Sequence, residues 1–216
     1  MIASDQYQRY QDALLAGERQ DCARIVQNLL ASDTPLVEIY TELFQRSLYE
    51  VGKLWEGNRI SVAVEHMATA ITESLLVLLY PRVFAAPRKP NRAVISCGVN
   101  EYHQVGAKIV ADTFEMHGWR TTFLGANTPA DALLDTVQRE RPNLVGLSLS
   151  IYFNLPGFLG LARELRKRHP GLILVAGGQA FRHGGHETLP PLGCHLVQDI
   201  LDLPRRLPEW EKGHAA

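Results

Sequence analysis

The chain has 216 residues, 46% of them hydrophobic, enough for one large folded domain or two small ones, so a soluble globular protein is expected. Twenty-two basic against 23 acidic residues leave a formal net charge of -1, and no global field draws the chain to nucleic acid or to an anionic membrane. Cys22, Cys97 and Cys194 lie far apart without C-x-x-C spacing, which argues against a disulfide framework or a zinc site and fits a reducing cytoplasm.

The N-terminal "MIASDQYQRYQDALLAGERQD" lacks the basic stretch and apolar run of a secretion signal. No stretch reaches about 18 uninterrupted apolar residues, so no membrane span is expected. Up to residue 86 the apolar positions recur at helical spacing, as in Leu14, Leu15, Ile25, Leu29 and Leu30. Breaks at "SDTP" (32–35) and "EGNRIS" (56–61) divide this half into helices over about 4–16, 18–31, 34–53 and 61–84, an antiparallel four-helix bundle. The segment 87–92, with its prolines and basic residues, reads as a linker.

The periodicity then changes. Short apolar runs at 93–99, 119–125, 144–150 and 172–178 alternate with amphipathic stretches at 104–118, 129–142 and 156–171. That alternation predicts an α/β domain, a doubly wound parallel sheet of flavodoxin or Rossmann-like type, over 93–206. "HLVQDILDLPRRLPEW" (195–210) adds a weakly patterned last strand and helix, and 207–216 is expected to be a tail. The cationic "RELRKRH" (163–169) is most simply the solvated face of a sheet-covering helix.

Ligands of an open parallel sheet bind outside the carboxyl ends of its strands. Those ends carry Glu101-Tyr102-His103, then Gly125-Ala126-Asn127-Thr128, then Ser148 and Ser150, then Gly177-Gly178. Taken singly these are ordinary: a loop histidine is usually a surface residue, a Gly-Gly a turn, paired serines filler. Neither G-x-G-x-x-G nor G-x-x-x-x-G-K-[ST] follows the first strand, so a nucleotide site is not indicated. The chain also offers no nucleophile and base pair, and a stand-alone enzyme is not expected.

The spacing is more specific. E-x-H-x-x-G (Glu101, His103, Gly106), 41 residues to Ser148 and 28 more to Gly177-Gly178 resemble the signature of the cobalamin-binding domain family, D-x-H-x-x-G with S-x-L and G-G. The resemblance covers about residues 90–205 and implies that His103 is the lower axial ligand of cobalt, with Glu101 as its hydrogen-bonding partner. It also implies that Tyr102, Gln104, Val105 and Gly106 flank the cofactor, while Ser148, Ser150, Gly177, Gly178 and Gln179 line the slot for its nucleotide tail. Glu101 stands where Asp is commoner, and Ser150 where S-x-L has Leu.

"LWEGNRISVAVEHMATA" (54–70) is similar to the helical cap of the cobalamin photoreceptor branch, in which nine residues separate a Trp from a Glu-His pair, here Trp55 from Glu65 and His66. The resemblance implies that these three cover the upper face and recognise its axial group, adenosylcobalamin before the hydroxo or methyl forms. The bland reading leaves Trp55 packed at the bundle end and Glu65 and His66 solvated. Photoreceptors of this branch have His after the Trp; here Glu56 makes water or hydroxide the expected photoproduct ligand, because carboxylate is a harder ligand than imidazole. They also carry a helix-turn-helix ahead of the bundle. Here the bundle begins near residue 1, as in the stand-alone antirepressors of photosynthetic bacteria and equally in a piece of a longer photoreceptor. The expectation is a light-responsive regulator without direct contact to nucleic acid or membrane, acting through a protein such as a transcription factor, with self-association open. Two alternatives stand: a corrinoid methyl carrier of a methyltransferase system, and a heme or other tetrapyrrole sensor using His103.

Overall fold

A computed structural model describes residues 2–212 and divides the chain into two compact units, Met1–Ala85 and Ala86–Ala216. The first unit is helical. Helix α1 (Ser4–Ala16) ends at Gly17, whose φ of 79° turns its amide onto the carbonyls of Ala13 and Leu14. After α2 (Arg19–Ala31), a long helix, α3, covers 36–56 and contains a π-helical stretch at Ile39–Gln45 before the regular Arg46–Glu56. Helix α4 (Val62–Val83) starts where the Ser61 hydroxyl accepts the Val64 amide, and tightens to a 3-10 turn at Val77–Leu79 just before Pro81. Tyr10, Leu14, Val26, Leu43, Phe44, Leu76 and Leu79 bury themselves in its core.

By length and composition Val62–Val83 is apolar enough to cross a membrane, although Glu65 and Glu73 interrupt it. Its Ala68, Ile71, Leu75, Leu76, Leu79 and Val83 are buried in the bundle, so core packing accounts for one face of the helix, while Val62 and Val77 are exposed.

The second unit is a five-stranded parallel sheet in the order β2-β1-β3-β4-β5, with β1 (Arg92–Cys97), β2 (Arg120–Gly125), β3 (Leu144–Ser148), β4 (Ile173–Gly177) and β5 (Cys194–Val197). Strand residues alternate between two cores. Val94, Val145, Leu147 and Leu174 meet helices α6 (Ala130–Glu140) and α7 (Leu155–Arg168), whereas Ala93, Ile95, Cys97 and Val175 meet α5 (Val105–Met116) and α8 (Leu203–Lys212). Burial on both faces explains the largely apolar runs of β1, β3 and β4, whereas the outer strand β2 carries Arg120, Thr121 and Thr122 and has no fully buried residue. Because the strand order reverses between β1 and β3, the loops after these strands diverge and leave a crevice.

Two boundaries differ from expectation. Residues expected as linker are fastened to the second unit: Arg88 pairs with Glu115 and donates to the Trp119 carbonyl, Lys89 binds Glu211 at 2.7 Å, and Arg92 already belongs to β1. The expected tail from 207 continues helix α8 to Lys212, because Leu207 and Trp210 are buried against Phe114 and Trp119. Residues 213–216 lie outside the described residues.

Candidate functional site

Sheet register does the first assembly. Cys97 pairs with Ser148 and Ser148 with Gly177, so three residues far apart in sequence form one rung at the carboxyl edge. Beyond that rung β1 opens into the irregular segment 98–104, and side chains take over from ladder hydrogen bonds. Asn100, at a φ of 62°, donates its amide to the Asn127 side-chain oxygen at 2.9 Å and accepts Asn154 Nδ2 on its carbonyl at 3.0 Å. Gln104 Oε1 accepts the Ala126 amide at 3.0 Å. The β1 loop is thereby pinned to the loops after β2 and β3.

Glu101 is the centre of this lattice. Its side chain is 0% exposed and both oxygens are engaged. Oε1 accepts the His103 amide at 3.0 Å and faces His103 Nδ1 at 2.7 Å. Oε2 accepts the amides of Ser150 at 2.7 Å and Ile151 at 3.0 Å. Burial pushes the Glu101 carboxyl upward, but the bonds from the His103 ring, the Ile151 and Ser150 amides and the His103 amide outweigh it and hold the group below the ordinary carboxylate value. These amide bonds also explain why β3 ends at Ser148 rather than at the expected Ser150. Below the rung, burial first and the Glu101 charge second push the Cys97 thiol up to about 12, against a hydrogen bond from Ser148, so Cys97 is an inert thiol.

The His103 ring is 57% exposed while its Nδ1 is committed to Glu101. Tyr102, Val99, Ile151, Tyr152 and Phe153, the last 88% exposed, surround the loop ends with apolar surface. A Cβ on Gly106, in the first turn of α5 beside buried Val105, would meet no atom of the chain within 4 Å. The glycines after β4 behave differently. The Gly177 carbonyl accepts the Leu149 amide at 2.9 Å, and a Cβ on Gly178, at a φ of 113°, would lie 2.1 Å from the Leu149 oxygen. Gly178 is therefore required by the chain's own backbone. Gln179 is exposed and opens the 3-10 turn Gln179–Arg182.

Trp55, Glu65 and His66 lie in the helical unit. The short loop between α3 and α4 sets them at one end of the bundle, with Trp55 45% exposed. Glu65 accepts the Thr69 hydroxyl at 3.0 Å and pairs with the exposed His66 ring. Glu56 is exposed beside them. Sequence reasoning passed over Asn100, Asn154, Ile151 and Phe153. The available signal was "IYFN", bulky apolar residues where a strand-to-helix loop is ordinarily polar.

Among the described residues no three His, Cys, Asp or Glu side chains gather to hold a metal ion. The donor set at this edge is one oriented imidazole in an apolar rim with open space over Gly106, which suits a metal that brings its own in-plane ligands and not a bare cation.

Comparison with known proteins agrees. One model described as a B12 binding domain matches residues 91–197, and a second of the same description matches residues 6–80. The HTH-type transcriptional repressor CarH of Myxococcus xanthus is 32% identical over 184 residues, 84% of this chain and 60% of the relative. Its counterpart CarA is 34% identical over 128 residues, 59% of this chain and 44% of the relative. The chain thus spans about half the length of the curated relatives it matches. A monomethylamine corrinoid protein of Methanosarcina barkeri superposes with a TM-score of 0.83 at 14% identity, over 95% of this chain and 98% of that one, and shares the fold. A cobalamin-binding protein from Desulfitobacterium hafniense superposes at 0.52 with 18% identity, over 97% and 99% of the two chains. With models of one description matching its helical and its α/β parts, the chain belongs to the B12-binding domain family.

Proposed function

We propose that this protein is a cobalamin-dependent, light-responsive regulator that signals through a protein partner, a transcription factor by the nature of its relatives, in the cytoplasm. The observation that carries the cofactor assignment is the Glu101–His103 pair: a fixed Nδ1 leaves coordination to Nε2, and the exposed ring stands where a cofactor can reach it. Ser148, Ser150, Gly177, Gly178 and Gln179 are the proposed walls of the tail slot, supported by their common place at the carboxyl edge. Tyr102, Gln104, Val105 and Gly106 are the proposed neighbours of the macrocycle. The regulatory reading rests on the identity to CarH and CarA, both named as transcriptional repressors.

Adenosylcobalamin, when bound, supplies a cobalt–carbon bond that light can cleave. The chain's part is recognition. Trp55 offers an aromatic face, and Glu65 and His66 offer hydrogen bonds, to the upper axial group. Losing that group removes those contacts, so the equilibrium between two states of the helical unit shifts by the difference in that group's interaction with each.

The test is the absorption spectrum of the protein with adenosylcobalamin in the dark and after green light, in the parent and in His103→Ala. Binding with a light-driven spectral change that the substitution alters supports the proposal. Binding without a light response, together with methyl transfer in a reconstituted system, assigns the protein instead as a methyl carrier. A heme spectrum in the purified protein replaces both readings.

A further inference from the structure

The helical unit has a concave feature on a face of α3 other than that of Trp55. A groove of about 640 Å³ runs between α1 and α3, floored by Gln11 and edged along α3 by Glu42, Arg46, Glu50 and Lys53. Trp55 is nine residues from Arg46, half a revolution round the regular part of the helix, and faces away. Gln11 is 4% exposed, yet neither its amide nitrogen nor its oxygen has a hydrogen-bond partner. Such a buried donor and acceptor is normally satisfied. The groove wall also contains the π-helical Ile39–Gln45, a rare geometry that concentrates at functional sites.

The charges on this edge identify what fits. Glu42, Arg46, Glu50 and Lys53 alternate in sign along one helix face. Arg46 and Glu50 have the spacing of an intrahelical pair, but no ion pair joins these four among the described residues; the Arg46 guanidinium lies 3.7 Å over the Tyr7 ring instead. Turned end for end, the sign pattern becomes its own complement. An antiparallel second copy of α3 would set Arg46 against the partner copy's glutamate at 50, and Glu42 against its lysine at 53, and the same pairs recur across the two-fold axis.

We infer that the α1–α3 groove is a self-complementary interface in which each copy of this chain seats its α3 helix in the groove of a second copy. The charge alternation sets the antiparallel register, and Arg46 is held ready by Tyr7. This interface does not depend on cobalamin or on the regulatory reading.

Sedimentation equilibrium of the full chain at low and high ionic strength tests it, with Arg46→Glu, Glu50→Lys and the swap Arg46→Glu/Glu50→Arg as variants and far-UV circular dichroism as the check of folding. A dimer that weakens with salt, loses about tenfold or more in affinity in either reversal, and recovers in the swap is expected. Glu50→Lys gives the reading without disturbing the stack on Tyr7. A monomer at all concentrations, or self-association that the reversals leave unchanged, or a swap that does not recover, overturns the proposal.

Discussion

The carboxylate of Glu101 meets the ring of His103 at 2.7 Å while its other oxygen gathers two amides from a loop some fifty residues away. One buried side chain thus sets the orientation of the imidazole and the path of the segment beside it. Glu101→Gln keeps the shape but puts an NH₂ group against donors. It should cost about 1–3 kcal/mol in urea unfolding and weaken cobalamin binding roughly 10-fold or more. Unchanged stability would show that the four hydrogen bonds do not persist in solution.

Two glycines should separate folding from binding. Gly178→Ala drives a Cβ to 2.1 Å from the Leu149 oxygen at a φ of 113°, so a loss of about 3 kcal/mol or more is expected in thermal or chemical unfolding. Gly106→Ala meets nothing within 4 Å in the first turn of a helix, so stability should stay level or rise by about 0.5–1 kcal/mol. Its effect should appear in cobalamin affinity. A Gly106→Ala protein that binds like the parent would remove the close-approach role.

Trp55→Ala should be nearly silent in unfolding, within about 1 kcal/mol, because its side chain is 45% exposed. Titration with adenosylcobalamin and with methylcobalamin is the informative measurement. The substitution should narrow whatever preference the parent has for the adenosyl form; an unchanged ratio argues against an upper-face role.

Acid should loosen the last helix. Burial pushes the Glu211 carboxyl up, but hydrogen bonds from Lys89 and Trp119 bring it below its ordinary value of 4.5. A depressed carboxylate contributes stability that is present above pH 4.5 and lost as pH falls through its folded value. The Trp119 emission followed against pH should therefore change on the acid side in the parent. Glu211→Gln should flatten that limb and leave neutral pH nearly untouched in slope.

The parallel sheet was legible because β1, β3 and β4 are largely apolar runs between turn residues, as burial on two faces requires; the outer strand β2, with Arg120, Thr121 and Thr122 and no fully buried residue, carries the pattern only in part. Glu101 and His103 stood out because a charge and an imidazole directly after such a run serve no packing need. The π-helical stretch of α3 was not legible, since Ile39–Gln45 has the same apolar spacing as an α-helix to within a residue. Gly178, expected beside a ligand, answers to the Leu149 backbone, a contact between the segments just after β4 and β3 that no local pattern encodes. Arg88 falls in the segment read as linker because Pro87 and Pro90 imitate the composition of loose chain, and Trp210 ends the weakly patterned stretch 195–210, inside the expected tail from 207. Their anchors, Glu115, Trp119 and Phe114, are distant in sequence.

The clasp of Lys89 on Glu211, with the Trp119 indole on the same oxygen, brings the entry and exit of the α/β unit side by side. A body whose ends meet can be spliced into a longer polypeptide without stretching either neighbour, and its ends can be rejoined by a short link while new ones are opened elsewhere. Circular permutation with the opening in an exposed loop remote from the β1 edge should accordingly leave the sheet intact, making this unit a portable cassette.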